Sequence, residues 1–175
     1  MTTFLIALLS VVLIVFIYYI VKRVRRNAAL KILLRHSQKI TDKMFVATLE
    51  AGATTYQQVF DFKADLTSDP VQKIWGRGIM VFEYKMQIKD PAKHDAAFFK
   101  AAFFQKFENQ LNEQAADNGI ISAMPKYTPF IISDYWVLDG FFHVDVAFMT
   151  NKPTIEYVKD MRKADLEKLQ THGTD

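Results

Sequence analysis

Residues 4–21 read FLIALLSVVLIVFIYYIV, eighteen positions without a charge, and the next five include Lys22, Arg23, Arg25 and Arg26. No other stretch restricts so strongly what this chain can fold into. As a helix the run rises about 27 Å, close to the hydrocarbon thickness of a bilayer. It has no polar side to turn towards water. Tyr18 and Tyr19 fall near its end, where amphipathic rings favour the headgroup level. The expectation is an uncleaved transmembrane helix. An export signal would carry its positive charges ahead of a shorter apolar run and close on a small-residue cleavage site. Here the positives follow the run, and no A-x-A-like site precedes them.

The flanking charges set a direction. Residues 1–3 hold no Lys or Arg, whereas 22–26 hold four. By the positive-inside rule the N-terminus lies outside and the remainder in the cytoplasm. The sequence thus predicts a single-pass protein of the cell membrane, with Lys22, Arg23, Arg25 and Arg26 against the lipid surface. Across residues 1–43 there are eight basic residues and one acid, a balance of +7, while the rest carries fourteen against eighteen, a balance of −4. A basic stem beside an apolar run suits an anionic bilayer. The acidic remainder makes nucleic acid an unsuitable partner.

Half of the residues are hydrophobic, which excludes intrinsic disorder, and the lack of cysteine excludes a disulfide scaffold, a thiolate metal site and a cysteine nucleophile. The spacing divides the chain into an anchor with its basic flank (1–26), a juxtamembrane stem helix (27–52) and an α+β cytoplasmic domain (53–175). No Pro or Gly occurs before Gly52, so helix can continue out of the membrane, with Gly52 as a left-handed terminator. Leu30, Leu33, Ser37, Ile40, Met44, Ala47 and Ala51 are spaced alternately three and four apart. Such a seam docks on the chain's own sheet or pairs with a second copy of the stem.

Beyond the stem, two segments alternate with period two. Phe60, Phe62, Ala64 and Leu66 share one face, as do Met80, Phe82, Tyr84, Met86 and Ile88. Between them, a helical turn over 71–75 and a glycine-flanked Arg77 belong to a connection. Pro91 sets up a helix over 92–117, closed by Asn118-Gly119. Its Phe99, Phe103, Phe104, Phe107 and Leu111 form an apolar arc with Ala96 and Ala97, interrupted by Lys100, and Phe98 lies off it. FIISDYWVL-DG-FFHVDVAFM then reads as a hairpin, because Asp-Gly between apolar runs is a strong two-residue turn. That turn pairs Leu138 with Phe141, Trp136 with His143 and Asp134 with Asp145. Simple alternation puts Ile131, Tyr135 and Val137 on one face, with Phe130, Ile132, Asp134 and Trp136 on the other. A last helix starts at Pro153 or Thr154, with Ile155, Val158, Met161, Leu166 and Leu169 as its stripe. The architecture predicted is ββαββα after the stem, one antiparallel sheet of about four strands with helices mainly on one face.

Asp134, Trp136, His143 and Asp145 are the candidate ligand or metal residues. Two opposed carboxylates are unfavourable unless a cation, a proton or water relieves them, and His143 shares their face. Leu30, Leu33, Ile40, Met44, Phe98 and Phe141 are the candidate interaction surface. No nucleophile elbow, zinc-protease helix, phosphate loop, kinase signature or EF-hand occurs, and no cofactor is implied. The leading expectation is a membrane-anchored protein-interaction or scaffold domain rather than an enzyme. Its partners are the bilayer and another protein, or a second copy through the stem. The alternatives are a lipid or apolar small-molecule binder with a cavity behind the Phe-rich helix, and a metal-assisted hydrolase on the 134/143/145 face.

Overall fold

A computed structural model describes residues 2–63, 65–71, 76, 78–91, 93–94, 98–99 and 101–172, without the side chains of 2–8, 101–102, 165–166 and 168–172. Arg77, residues 72–75 and the positions Ala64, Ala96, Ala97 and Lys100 lie outside the described residues, as do the side chains of Leu166 and Leu169. Two compact units are present, Met1–Arg35 and His36–Asp175. Helix α1, Thr2–Ala51, supplies the first unit and, from His36 on, the first element of the second.

The second unit is a mixed helical and antiparallel-sheet domain of α+β type. After α1 come α2 (Ala53–Val59), β1 (Phe60–Asp61), β2 (Asp69–Pro70), β3 (Val81–Ile88), α3 (Ala101–Asp117), β4 (Phe130–Leu138), β5 (Phe141–Phe148) and α4 (Lys152–His172). Among the described residues there are therefore four helices and five strands. The sheet order is β1-β3-β5-β4, with β2 pairing β3 further along the same edge as β1.

Local chemistry accounts for the boundaries. Gly119 has φ +67°, and the amides of Gly119 and Ile120 return to the carbonyls of Ala116 and Ala115, a left-handed closure of α3 that the Asn-Gly pair predicts. Gly52 behaves otherwise. Its φ is −98°, not left-handed; it lies between α1 and α2, and a Cβ there would collide with the Tyr56 ring, which is what calls for glycine. Asn151 caps α4, its Oδ1 accepting the Thr154 amide at 2.9 Å, while Thr154 Oγ1 accepts the Met80 amide at 2.9 Å. Asp139 and Gly140 both take positive φ, the mirror-image turn that suits a twisted hairpin.

The expected strand over 60–66 is cut to Phe60 and Asp61. The chain then leaves the sheet towards α1, where Ser68 donates from its amide and hydroxyl to Asp42 Oδ1, at 3.3 and 2.7 Å. Gln38 Nε2 donates to the Ser68 carbonyl at 2.5 Å. These polar tethers displace the period-two pattern. Tyr84 OH also donates to Asp42, at 2.8 Å. Burial, then the Asp42 charge, pushes the Tyr84 phenol well above its usual range.

One sheet face, carrying Phe82, Tyr84, Met86, Phe142 and Val144, packs on α1, α2 and α3. Phe45 stacks on Tyr84 with centroids 3.7 Å apart, and Phe107 meets Phe45 edge-on at 5.1 Å. Of its two expected roles the stem seam takes the docking one, keeping Ser37 and Met44 but otherwise shifted to a neighbouring stripe. Ser37, Thr41, Met44, Phe45, Thr48 and Leu49 are buried, whereas Leu33 is exposed and Ile40 only half-buried. The opposite face meets α4 through Val81, Ile131, Ala147, Met149, Ile155 and Val158. Helices therefore lie mainly, not wholly, on one face.

The hairpin register is the predicted one from Leu138 back to Asp134, and then it shifts. A bulge at Ser133 pairs Ile132 with Val146 and Ile131 with Ala147. Phe130 and Ile132 thereby join the aromatic layer, and Ile131 faces α4, the reverse of simple alternation. The outer edge of this part of β4 is closed by α3. Asn112 bonds the Phe130 amide and carbonyl, both at 2.9 Å, and Glu108 accepts the Ile132 amide at 2.7 Å. Burial raises the Glu108 carboxyl, and the Ile132 amide partly offsets that.

Removing the ring that joins α1 to the sheet should be costly. Phe45→Ala is expected to destabilise the domain by about 3–5 kcal/mol. Leu33→Asp should change it by less than about 0.5 kcal/mol. Denaturant unfolding of the detergent-solubilised full chain checks both, and an equal loss from Leu33→Asp would refute the stripe described here.

Candidate functional site

Helix α4 covers only one end of its sheet face. Towards the hairpin turn the strands β3, β5 and β4 present a grid fixed by register, with Asp145 and His143 buried at its centre and Asp134, Lys85, Gln87 and Leu138 exposed at its rim. Glu83, Asp145 and Asp134 lie side by side across the three strands. The next row is Lys85, His143 and Trp136, and the last is Gln87, Phe141 and Leu138. The sequence pairs β4 with β5 correctly in all three rows. It does not single out Glu83, because nothing local says that β3 lies beside β5. The alternation of Glu83 with Phe82 and Tyr84 only marks it as belonging to the face away from the aromatic layer.

Neighbouring strands are about 4.8 Å apart, so three carboxylates in a row repel one another. The centre of the row is also dry. Asp145 is 4% exposed, and its Oδ1 is buried without a hydrogen-bond partner. Burial, then Glu83, then Asp134 push the Asp145 carboxyl up to about 7. The two flanks differ. Glu83 Oε1 lies 2.7 Å from His143 Nδ1, and a proton there bridges the pair. Asp134 is exposed and accepts the amide of Tyr135 at 2.8 Å. Trp136 stacks on His143 at 5.0 Å and 13°, so the imidazole lies parallel to the indole. Lys85 reaches along the face instead of across it, its Nζ 4.2 Å above the Phe141 ring.

Two further groups close the buried side. The bulged Ser133 donates from Oγ to the Asp145 carbonyl at 3.3 Å. Tyr157 arrives from α4, its phenol raised to about 12 by burial, with Ser133 acting against the shift and the charges of Asp145 and Asp134 adding to it. Neither Ser133 nor Tyr157 stands out in the sequence. Ser133 comes in only through the bulge, and Tyr157 through the packing of α4.

The structure thus brings Asp134, Trp136, His143 and Asp145 together and adds Glu83. Among the described residues no group of three or more His, Asp or Glu is placed to hold a metal ion. What the arrangement offers is concentrated negative charge, one carboxyl whose ionisation is pushed up towards neutrality, and a His–carboxylate pair. The other candidates are dispersed. Lys22, Arg23, Arg25 and Arg26 are exposed on α1, Leu30 is half-buried, and Met44 belongs to the domain's core. Phe98 is 41% exposed with its ring edge against His94, and Phe141 sits in the grid. Behind the Phe-rich helix, Phe45, Phe60, Phe104, Phe107 and Phe142 enclose a cavity of about 10 Å³. That is room for a water, far below the roughly 300 Å³ of a small-molecule pocket.

The raised Asp145 carboxyl has a defined consequence. In the unfolded chain it ionises near 3.9, in the folded domain near 7, so ionisation opposes folding. That cost is absent below about pH 4, grows as pH rises, and is complete above about pH 7. Asp145→Asn should therefore raise stability, relative to the parent, by roughly 2–4 kcal/mol more at about pH 8 than at about pH 4. Urea unfolding at the two pH values measures the difference; a pH-independent effect would show that Asp145 is not ionised against a cost. No known protein family matches the chain, and comparisons with curated proteins and with solved structures give no match either.

Proposed function

We propose that the chain is a single-pass membrane protein, anchored by residues 4–21 with its N-terminus outside. Its α+β domain serves as a protein-interaction module at the cytoplasmic surface. The supporting observation is the character of α1 from Leu9 to Val21. Val11, Leu13, Val15, Ile17 and Ile20 are exposed on every side of the helix, as are Val12, Ile14, Phe16 and Val21. A helix that is apolar all round belongs in an apolar medium. Leaving such side chains in water forgoes about 1.5–3 kcal/mol each.

Among the described residues no helix is long and apolar enough to cross a membrane. Side chains are described only from Leu9, whereas the uncharged run of the sequence opens at Phe4. The basic residues after Val21 support the orientation, and Lys22 lies 5.9 Å over the Tyr18 ring, an interfacial pairing of cation and aromatic. The interaction role is supported by the contrast between a nearly filled space behind α3 and a half-face on the other side of the sheet whose rim exposes Asp134 and Leu138 beside half-buried Trp136 and Phe141.

The full chain should stay with membranes through alkaline carbonate washing and should be released once residues 4–21 are deleted. A reporter that works only in the cytoplasm, fused after Asp175, should be active. Activity solely from an exported reporter would reverse the orientation, and carbonate release of the intact chain would remove the anchor.

A further inference from the structure

We propose that the Asp134 side of this half-face receives an arginine side chain, with an apolar neighbour, from a partner protein. The inference rests on the interaction reading above and gives the partner its chemistry. Three carboxylates stand in a row on three adjacent strands. Among the described residues no ion pair reaches Asp134 or Asp145, although Lys85 lies on the same face. Lys85 spends its charge over Phe141. Asp145 Oδ1 is buried and without a partner, which marks the row as electrostatically incomplete.

The geometry suits a guanidinium. Directly opposed residues on adjacent strands have Cβ atoms about 5 Å apart, a separation at which one guanidinium fork can serve the carboxyl groups of both Asp134 and Asp145. Glu83 is already engaged by His143, so the open side of the row is the Asp134 side. Beside it, Trp136 and Phe141 are half-buried and Leu138 is 55% exposed at the hairpin end. Aromatic and aliphatic surface next to a charge anchor is the composition of a protein-binding patch, where neighbouring apolar contacts exclude water from the ion pair. The row also lies on a sheet face with an exposed rim, which favours an extended partner over a free small cation. The surplus of acids beyond residue 43 draws a basic partner in.

The test uses the isotope-labelled full chain in lipid nanodiscs and a capped tripeptide with arginine between two leucines. Nuclear magnetic resonance should show saturable shifts of the Trp136 indole and of the Asp134 and Asp145 amides. Replacing arginine with its neutral isostere citrulline should weaken binding about tenfold or more. Asp134→Asn should do the same, and its exposed position keeps the fold intact; Asp145→Asn provides a second reading. Equal binding of the citrulline peptide, or no saturable shift up to about 5 mM peptide, would overturn the proposal. So would arginine amide alone binding as tightly as the tripeptide, which would make this a small-ligand site. Concentration-dependent shifts of the same residues without peptide would assign the face to a second copy. Failure of the anchor would leave this binding measurable, and loss of binding would leave the reporter result unchanged.

Discussion

The two-residue turn at Asp139 and Gly140 carries more of this structure than its size suggests. Positive φ at both positions sets Leu138 against Phe141, and every pairing back to Asp134 follows from that closure. Side chains alternate with period two, so a slip of one residue would send the acids into the aromatic layer and the aromatics into water. The bulge at Ser133 then adds a second constraint. It resets alternation between Ile132 and Asp134, so one strand can give Phe130 and Ile132 to the α3 side, Ile131 to the α4 side, and still keep Asp134 in the acid row. Without the extra residue, no single register satisfies all three demands.

The two sheet faces have opposite energetics. The aromatic face is filled by ring against ring, from Phe45 on Tyr84 to Phe104 on Tyr135 at 3.5 Å. Such pairs contribute about 0.5–1.5 kcal/mol each beyond their buried area. The other face carries an arrangement that opposes folding, a dry carboxyl between two more. A fold tolerates such a conflict when nearby packing offsets it, and conflicts of this sort gather where a surface does something other than hold the chain together. The Glu83–His143 pair relieves one flank of the row and leaves the Asp134 flank open. That asymmetry makes the Asp134 end the exposed end of the row.

Helix α1 changes character along its length. Up to Val21 its sequence is apolar on all sides; from Ser37 it is amphipathic, with a narrow stripe of small and aromatic residues. Thr41 and Thr48 sit in that stripe because each hydroxyl returns to a carbonyl four residues back, at 2.9 and 2.8 Å. Asp42 stands beside the stripe and gathers Ser68 and Tyr84 onto one oxygen. In doing so it ties the loop after β1 to the helix and keeps β1 short.

Period and turn chemistry were enough to read the apolar run, its basic flank, the strand at 81–88, the Asp-Gly hairpin with its register, and the Asn-Gly end of α3. Each of these is a local property, decided within a few residues. The pairing of Asp134 with Asp145 was legible for the same reason, because a tight turn makes it almost local. What tertiary structure alone decided was which elements meet. The placement of β3 beside β5 brought Glu83 to the acid row and to His143. The bulge at Ser133 answered to two layers at once, and the tether from Asp42 drew the loop off the sheet. The docking stripe on α1 moved by one position because Phe45, not the small residues of the heptad seam, had a ring of Tyr84 to stack upon. Spacing along a chain records which side of an element is apolar, but the choice among partners depends on shape and on buried polar bonds from distant segments.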